Sequence, residues 1–190
     1  MSHRQPLLLL VLLLLPVLAA CELDPFALER DGEVRVQVLA DELGDEAAPA
    51  NGSLAGDVEF RVRVVAELAD GSEMVVTDGT QSGRQAFGAS AGTLAARRFP
   101  PSNIANLRVE FHDVSVRVTD GRELGLFPVR YAVNIAPGSP VIHDVGPVDI
   151  PAGVQRTLRI DFAARSWLVE QEGQTIPAAV FRDRVRVSIR

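Results

Sequence analysis

Polar and apolar residues alternate along several short stretches of this chain, and this alternation limits its fold more than any other feature. Clear examples are Val58–Val64 and Leu158–Phe162. A period of two places successive side chains on opposite faces of a β-strand, so that one face is buried and the other meets water. Apolar residues do not recur at helical spacing over several turns. The sequence therefore predicts an all-β fold, an antiparallel β-sandwich or open barrel that follows an N-terminal signal segment.

The same pattern predicts strands near both ends of the mature chain, at Val34–Val38 and Val185–Ile189. Asp70-Gly71 is a hairpin signal, because glycine adopts positive φ at low cost, and Glu73–Thr77 is predicted to be the returning strand. Trp167-Leu168-Val169 is interpreted as a continuation of the sheet.

Two segments lack a clear period. Asp41–Gly56 is acidic and then rich in Ala, Pro, Asn and Gly, which predicts a long loop. Ser82–Ala96 is rich in Gly, Ala and Ser and is compatible with a loop or a short helical turn.

The longest predicted strand, Leu107–Val118, changes phase in its middle. Phe111 is apolar on an odd position, whereas Val114 is apolar on an even one. One extra residue re-aims all the following side chains, so we predict a β-bulge at His112-Asp113. Val141–Ile150 contains Gly146-Pro147 and is predicted to be an edge strand, because proline donates no ladder hydrogen bond.

The chain begins with a secretory pattern. A polar start with Arg4 precedes the apolar run Leu7–Ala20, which is shorter than the roughly 20 residues of a membrane span. The run ends in Leu18-Ala19-Ala20-Cys21, which resembles the lipobox of bacterial lipoproteins. We expect residues 1–20 to be a signal peptide, residues 21–33 a tether and residues 34–190 a single β-sandwich domain. An ordinary signal peptide and a hydrophobic N-terminal anchor are the alternatives.

The lipoprotein resemblance implies that the thiol of Cys21 is acylated and holds the protein on a membrane. Several acyl chains on one residue give firm anchoring, whereas one chain binds only marginally. In the sorting rule that this resembles, aspartate after the cysteine favours the inner membrane. Glu22 stands there instead, so we expect a bacterial cell-envelope protein at the outer membrane.

Composition restricts stability and partners. Cys21 is the only cysteine, so the chain can form no internal disulfide. Every basic residue is arginine, and without Arg4 the mature segment has 18 arginines against 25 acidic residues, a formal charge of −7. Nucleic-acid binding needs a clustered positive surface, so we expect no nucleic-acid partner.

A second resemblance concerns the body of the chain. The order of Phe99-Pro100-Pro101, the strand Leu107–Val118, Ala152-Gly153 and Leu158–Phe162 resembles bacterial lipoprotein domains with a transthyretin-like or carboxypeptidase-regulatory-like sandwich. That resemblance implies a binding or structural module of the envelope and supplies no site residue.

Both histidines of the mature chain precede an aspartate, as His112-Asp113 and His143-Asp144. Imidazole and carboxylate ligands could bind zinc or copper if the two pairs met across a sheet. Alternatively, all four residues are exposed strand or bulge residues whose carboxylates support local backbone bonds. We expect no cofactor, and we keep a metal-binding protein or metal-dependent enzyme as the alternative function.

Other reactive patterns are weak. Ser115 follows no recognised nucleophile motif, so we expect no enzyme activity. Arg61 and Arg63 could form a ladder for anionic polysaccharide or lipid head groups, if their strand neighboured the final strand with Arg184, Arg186 and Arg190. Cross-strand pairing with acidic neighbours is the competing interpretation.

The sequence thus predicts a lipid-anchored cell-envelope protein with a non-catalytic β-sandwich that acts as a binding or structural module. Its expected partners are the membrane, through acylated Cys21, and an unknown envelope protein or glycan.

Overall fold

The computed structural model describes residues 31–41, 55–119, 129–168 and 173–190. The predicted signal peptide, Cys21, most of the tether and most of the predicted loop Asp41–Gly56 lie outside these residues. The strands are β1 (Gly32–Leu39), β2 (Gly56–Leu68), β3 (Glu73–Val75), β4 (Gln81–Ala86), β5 (Gly92–Phe99), β6 (Ser102–Val118), β7 (Val129–Asn134), β8 (Val141–Ile150), β9 (Gln155–Asp161), β10 (Thr175–Pro177) and β11 (Arg186–Ile189). The helices are α1 (Ala164–Leu168) and α2 (Ala178–Arg184).

These strands form two separate sheets, so the fold is an all-β sandwich and not a closed barrel. The small sheet has the order β11-β9-β1-β5. The large sheet has seven strands along the path β10-β7-β6-β2-β3, with β4 paired to β2 and β8 paired to β6. The prediction of an all-β sandwich is confirmed.

Strand direction differs in part from the antiparallel prediction. β1 pairs with β9 in parallel, and β7 pairs with β10 in parallel, so both sheets are mixed. Alternation shows that one face of a strand meets water, but it carries no information on the direction of the neighbouring strand. Parallel neighbours need a long connection, and β1 and β9 are far apart along the chain.

The large sheet is organised around the pair β2 and β6. Their antiparallel register runs from Gly56 opposite Val118 to Leu68 opposite Ile104. The other edge of β2 is shared by β4 and β3, and the other edge of β6 is shared by β7 and β8. One face of this long pair is packed on the small sheet, whereas the other carries charged side chains.

The predicted β-bulge in β6 is confirmed. Arg61 lies opposite Asp113 and Val62 lies opposite Phe111, so His112 is the extra residue. Phe111 and Val114 are both fully buried, as the change of phase requires.

Aromatic side chains fill the core between the two sheets at the end that holds the helices. The ring centroids of Phe60 and Phe162 are 5.0 Å apart, and those of Phe111 and Phe181 are 5.1 Å apart. Trp167 is fully buried, and its Nε1 donates a hydrogen bond of 2.8 Å to the carbonyl of Phe162. Each such buried side chain stabilises the fold by about 2 kcal/mol.

The segment Ser82–Ala96 is neither the loop nor the short helical turn with which its composition is compatible. It contributes most of β4 and β5. Gly83 lies opposite Phe60, and a Cβ atom at Gly83 would be 2.4 Å from Phe60 Cζ. The glycine is therefore required where the aromatic ring covers the neighbouring strand, and its low strand propensity is overridden by this packing.

The prediction that Trp167-Leu168-Val169 continues the sheet is wrong. Trp167 and Leu168 belong to α1, while Val169 lies outside the described residues. The chain leaves β9 at Asp161, whose Oδ1 accepts the N–H of Ala163 at 2.9 Å, and Ala163 has φ of 47°. This turn redirects the chain so that the indole enters the core.

Turn and edge predictions agree with the structure where they can be compared. Gly71 has φ of 80° in the turn between β2 and β3. β8 pairs with β6 alone among the described strands, and the ladder is irregular at Gly146, which has φ of 92°. The predicted turn at Asp120-Gly121 lies outside the described residues.

Candidate functional site

The two histidines do not come together. His143 lies opposite the buried Val109, so it occupies a position on the core side of β8. Burial lowers the pKa of His143, and the nearby Asp144 opposes this effect. His112 lies on the outer side of the large sheet, where its Nε2 is 3.5 Å from Oε2 of Glu110.

The two aspartates that follow the histidines, Asp113 and Asp144, also lie in different environments. Asp113 is exposed on β6, and Asp144 Oδ1 accepts a hydrogen bond of 3.1 Å from Asn106 Nδ2. Within the described ranges, three or more His, Cys, Asp or Glu side chains do not gather into a metal-binding group. Because the imidazoles occupy opposite sides of the sheet, they cannot share the ligand sphere that the alternative metal hypothesis requires.

The outer face of the large sheet is covered by ion pairs. At one end Glu59 is the acceptor, with Arg130 Nη2 at 2.8 Å and Arg117 Nη2 at 3.2 Å. Beside it, Asp57 accepts two hydrogen bonds from Arg84, of 2.8 and 2.7 Å, and these bonds raise the pKa of Arg84. Paired arginines and carboxylates neutralise this end of the face.

A second ion-pair group surrounds Glu110, which is almost fully buried. Arg63 Nη1 lies 3.2 Å from one carboxylate oxygen, and Arg108 Nε lies 3.1 Å from the other. Arg108 also reaches Glu73 at 2.8 Å. The interpretation of Arg63 as a cross-strand partner of an acidic residue is therefore correct for this position.

Between these groups lies an open groove of about 480 Å³ on the outer face of β4, β2, β6 and β7. We call it the charged groove; its lining residues are Glu59, Phe60, Arg61, Ser82, Gly83, Arg84, Asp113, Ser115 and Arg130. Arg61 and Asp113 are opposite each other in register and exposed, and neither forms an ion pair or side-chain hydrogen bond within the described part of the chain. They are the groove's available cation and anion.

The groove contains polar binding groups, several of which are already held by hydrogen bonds within the sheet. Ser115 Oγ accepts hydrogen bonds from Arg130 of 2.8 and 3.2 Å, and an arginine does not act as a general base at neutral pH. Guanidinium, carboxylate and hydroxyl groups on a rigid sheet can hold a polar ligand by charge-assisted hydrogen bonds.

Two acidic residues, the buried Asp161 and the partly buried Asp41, lie close together near the end of the small sheet, and the sequence did not predict this. Asp161 is 2% exposed, and Asp41 Oδ2 lies 3.3 Å from Arg165 Nε. Burial raises the pKa of Asp41, Arg165 opposes it, and Asp161 adds to the rise. No sequence motif joins these residues, because their proximity arises from the parallel pairing of β1 and β9. Asp161 also holds the turn at Ala163, so the cluster has a structural role.

The hypothesis that arginines of two neighbouring strands form one ladder is wrong. Arg184 belongs to α2 and not to the last strand, whereas Arg186 begins β11 and Arg190 directly follows its last residue. Arg61 and Arg63 are in the other sheet, so the proposed common ladder does not form.

Fold and groove together define an all-β sandwich with an open, charged groove on one sheet. Comparison of the chain with protein-family models, with curated proteins and with solved structures finds no match in any of the three. In the part of the chain that the structure describes, the helices are too short and too polar to cross a membrane. The acylation of Cys21 and the transthyretin-like resemblance stay predictions.

Proposed function

We propose that this is a lipid-anchored cell-envelope protein whose non-catalytic β-sandwich binds a polar ligand in the charged groove. The anchor rests on Leu18-Ala19-Ala20-Cys21 after the apolar run, and on Cys21 as the only cysteine. Glu22 favours the outer membrane. The observation that carries the binding role is the exposed pair Arg61 and Asp113 in a groove whose other charges are already paired.

A glycan or a charged loop of an envelope protein fits this groove better than an apolar ligand. The groove offers donors and acceptors on a flat sheet, and its only aromatic lining residue, Phe60, is 4% exposed. Polar ligands of this kind are held by directional hydrogen bonds rather than by burial of apolar surface.

The anchor is tested in cells with Cys21→Ala. Removal of the thiol should abolish metabolic labelling with a radioactive fatty acid and move the protein from the membrane fraction to the soluble fraction. Ser53→Ala is a control, since it removes another small polar side chain outside the lipobox. Retained labelling of the Cys21 variant would contradict the lipid anchor.

The groove is tested with full-length protein in detergent on an array of bacterial surface oligosaccharides. The double variant Arg61→Ala and Asp113→Ala should lose at least about tenfold in affinity for the glycans that the wild type retains, since two charge-assisted hydrogen bonds are lost. Asp149→Ala with Arg182→Ala changes the same charges at exposed positions outside the groove and should bind as the wild type does. Absence of retained glycans, or equal loss in both double variants, would overturn glycan binding at this site.

A further inference from the structure

The outer face of the small sheet is rich in arginine. Strand register places five arginines on it, in rows that cross β11, β9, β1 and β5. We call this surface the arginine face; its arginines are Arg35, Arg98, Arg159, Arg186 and Arg190. Short or neutral side chains, including Gln37, Thr93 and Ser188, lie between them.

The five arginines of this face differ in their partners. Glu33 pairs with Arg35 at 3.0 Å, and its side chain is 26% exposed. Asp161 is buried, lies opposite Arg186 in register and accepts a backbone N–H, and both Asp161 and Arg159 have further interactions. Arg98 and Arg186 are exposed and have no carboxylate within 4 Å among the residues that the structure describes. A cationic surface is therefore left on a mature protein whose formal charge is −7.

We propose that the arginine face lies against the anionic phosphate head groups of the membrane that holds acylated Cys21. This inference rests on the proposed lipid anchor. Guanidinium groups bind phosphate with two parallel hydrogen bonds, and Arg98 and Arg186 are exposed with no carboxylate within 4 Å in the described ranges.

The position of the anchor supports this orientation. Ten residues separate Cys21 from Gly32, the first residue of β1, and they reach at most about 35 Å. β1 is an inner strand of the small sheet, so the tether enters the sheet that carries the arginine face. The acyl chains supply attachment, and the arginines determine which side of the domain meets the bilayer.

The face is unsuited to an apolar partner. Among the described residues, Ile142 is the one large hydrophobic residue whose side chain is exposed, and it lies on β8 in the large sheet. Interfaces between proteins are centred on buried apolar and aromatic groups, which the arginine face lacks. An extended anionic surface is the occupant that its charge fits.

The test uses the full-length acylated protein in vesicles with a nitroxide quencher in the head-group layer. Acylation blocks Cys21, so Ser188→Cys on the arginine face and Ser82→Cys on the large sheet each give a single thiol for a fluorescent label. Both serines are exposed. We expect strong quenching of the label at position 188 in vesicles that contain phosphatidylglycerol, weak quenching in pure phosphatidylcholine, and weak quenching of the label at position 82 in both.

Substitution of the unpaired arginines isolates their role. Each arginine near an anionic surface contributes about a fivefold preference, so Arg98→Gln with Arg186→Gln should reduce the ratio of facing to non-facing orientations roughly 25-fold. Arg61→Gln with Arg182→Gln removes the same charge elsewhere and should leave the quenching of position 188 unchanged.

The outcomes separate the two proposals. Protein that fails to stay on either vesicle contradicts the lipid anchor itself. Protein that stays on the vesicles but shows equal quenching at both positions, or quenching that ignores lipid charge, overturns the orientation alone. Quenching that ignores lipid charge, combined with protection of the label at position 188 by a soluble anionic polysaccharide, would assign the face to a glycan instead.

Discussion

The outer faces of the two sheets are both rich in arginine, but they neutralise it to different degrees. On the large sheet, Glu59 and Glu110 each accept hydrogen bonds from two arginines, so most of the charges there belong to ion-pair groups. On the small sheet, Glu33 pairs with Arg35, whereas Arg98 and Arg186 are exposed and have no carboxylate within 4 Å among the described residues. The two faces therefore have different physical roles: the first stabilises the sheet and frames a groove, while the second keeps positive charge available to solvent.

This difference shows that alternation and charge composition are separate kinds of information. Alternation identifies which residues face water, whereas cross-strand partners depend on register between distant strands. Glu110 and Arg63 are 47 residues apart, and Glu59 and Arg130 are 71 apart. A surface arginine in a strand is an ion-pair member or a free cation according to that register alone.

The largest expected change in stability comes from Gly83, which lies in β4 at the point where this strand pairs with β2 beside the groove. Gly83→Ala should lower the free energy of unfolding by about 3 kcal/mol, because its Cβ would be 2.4 Å from the buried Phe60 ring. Gly92→Ala in the small sheet meets the end of the Gln85 side chain at 2.9 Å and should cost less than about 1 kcal/mol. Urea unfolding of both variants measures the difference. Equal losses would show that the ring can move aside and that β4 is not held by this contact.

The next effect compares the ion pairs of the two faces directly. Glu110→Ala should lower the free energy of unfolding by about 2 kcal/mol, since it removes a nearly buried carboxylate from Arg63 and Arg108. Glu33→Ala removes one partly exposed pair and should cost less than about 1 kcal/mol. Denaturant midpoints at low and high salt measure both. If the two substitutions lower the free energy of unfolding equally, the ion pairs of the large sheet are not stronger than the pair on the small sheet.

A smaller effect concerns the two sides of the large sheet at β8. Burial lowers the pKa of His143 below its ordinary value of 6.5, so the unfolded chain takes up a proton more readily than the fold. Stability should therefore fall as pH drops through 6.5 and level off below the folded-state pKa. His143→Gln should remove this part of the pH dependence in thermal unfolding between pH 8 and pH 5. If the melting temperature of the variant depended on pH as that of the wild type does, the imidazole of His143 would be solvated in the folded protein.

The smallest effect lies at the end of the small sheet. Burial raises the pKa of Asp41 above its ordinary value of 3.8, against the opposing effect of Arg165. The contribution of this group to stability is therefore complete below pH 3.8 and is lost as pH rises through the folded-state pKa. Asp41→Asn should have a higher melting temperature than the wild type at pH 7, with the gain disappearing in acid. A loss at pH 7 would show that the ion pair with Arg165 outweighs the burial.

Much of the fold was predictable because local patterns and tertiary contacts agree. The valines of β1 and β2 occupy the buried positions that their alternation indicates, and the change of phase between Phe111 and Val114 located the bulge. These features depend on residues close together in sequence. Because only one face of each strand is buried, the alternation determines which side chains lie in the core.

The errors arose where distant contacts override local preference. Gly83 is a poor strand residue, yet the ring of Phe60 makes it suitable there. Trp167 follows a strand pattern, but the Asp161 turn at Ala163 places it on a short helix. The charged groove was not predictable for the same reason, since Arg61 and Asp113 are brought together by register.

The central distinction is between Arg63 and Arg108 of the large sheet, which carboxylates neutralise, and Arg98 and Arg186 of the small sheet, which are exposed and have no carboxylate within 4 Å in the described part of the chain. Reaction of the full-length protein with phenylglyoxal, followed by mass spectrometry of each peptide, measures this for individual guanidinium groups. In detergent we expect Arg98 and Arg186 to react several times faster than Arg63 and Arg108, because paired guanidinium groups lose access and mobility. Anionic vesicles should then protect Arg98 and Arg186 and leave Arg61 reactive. Equal rates in detergent, or equal protection of both faces, would contradict the account.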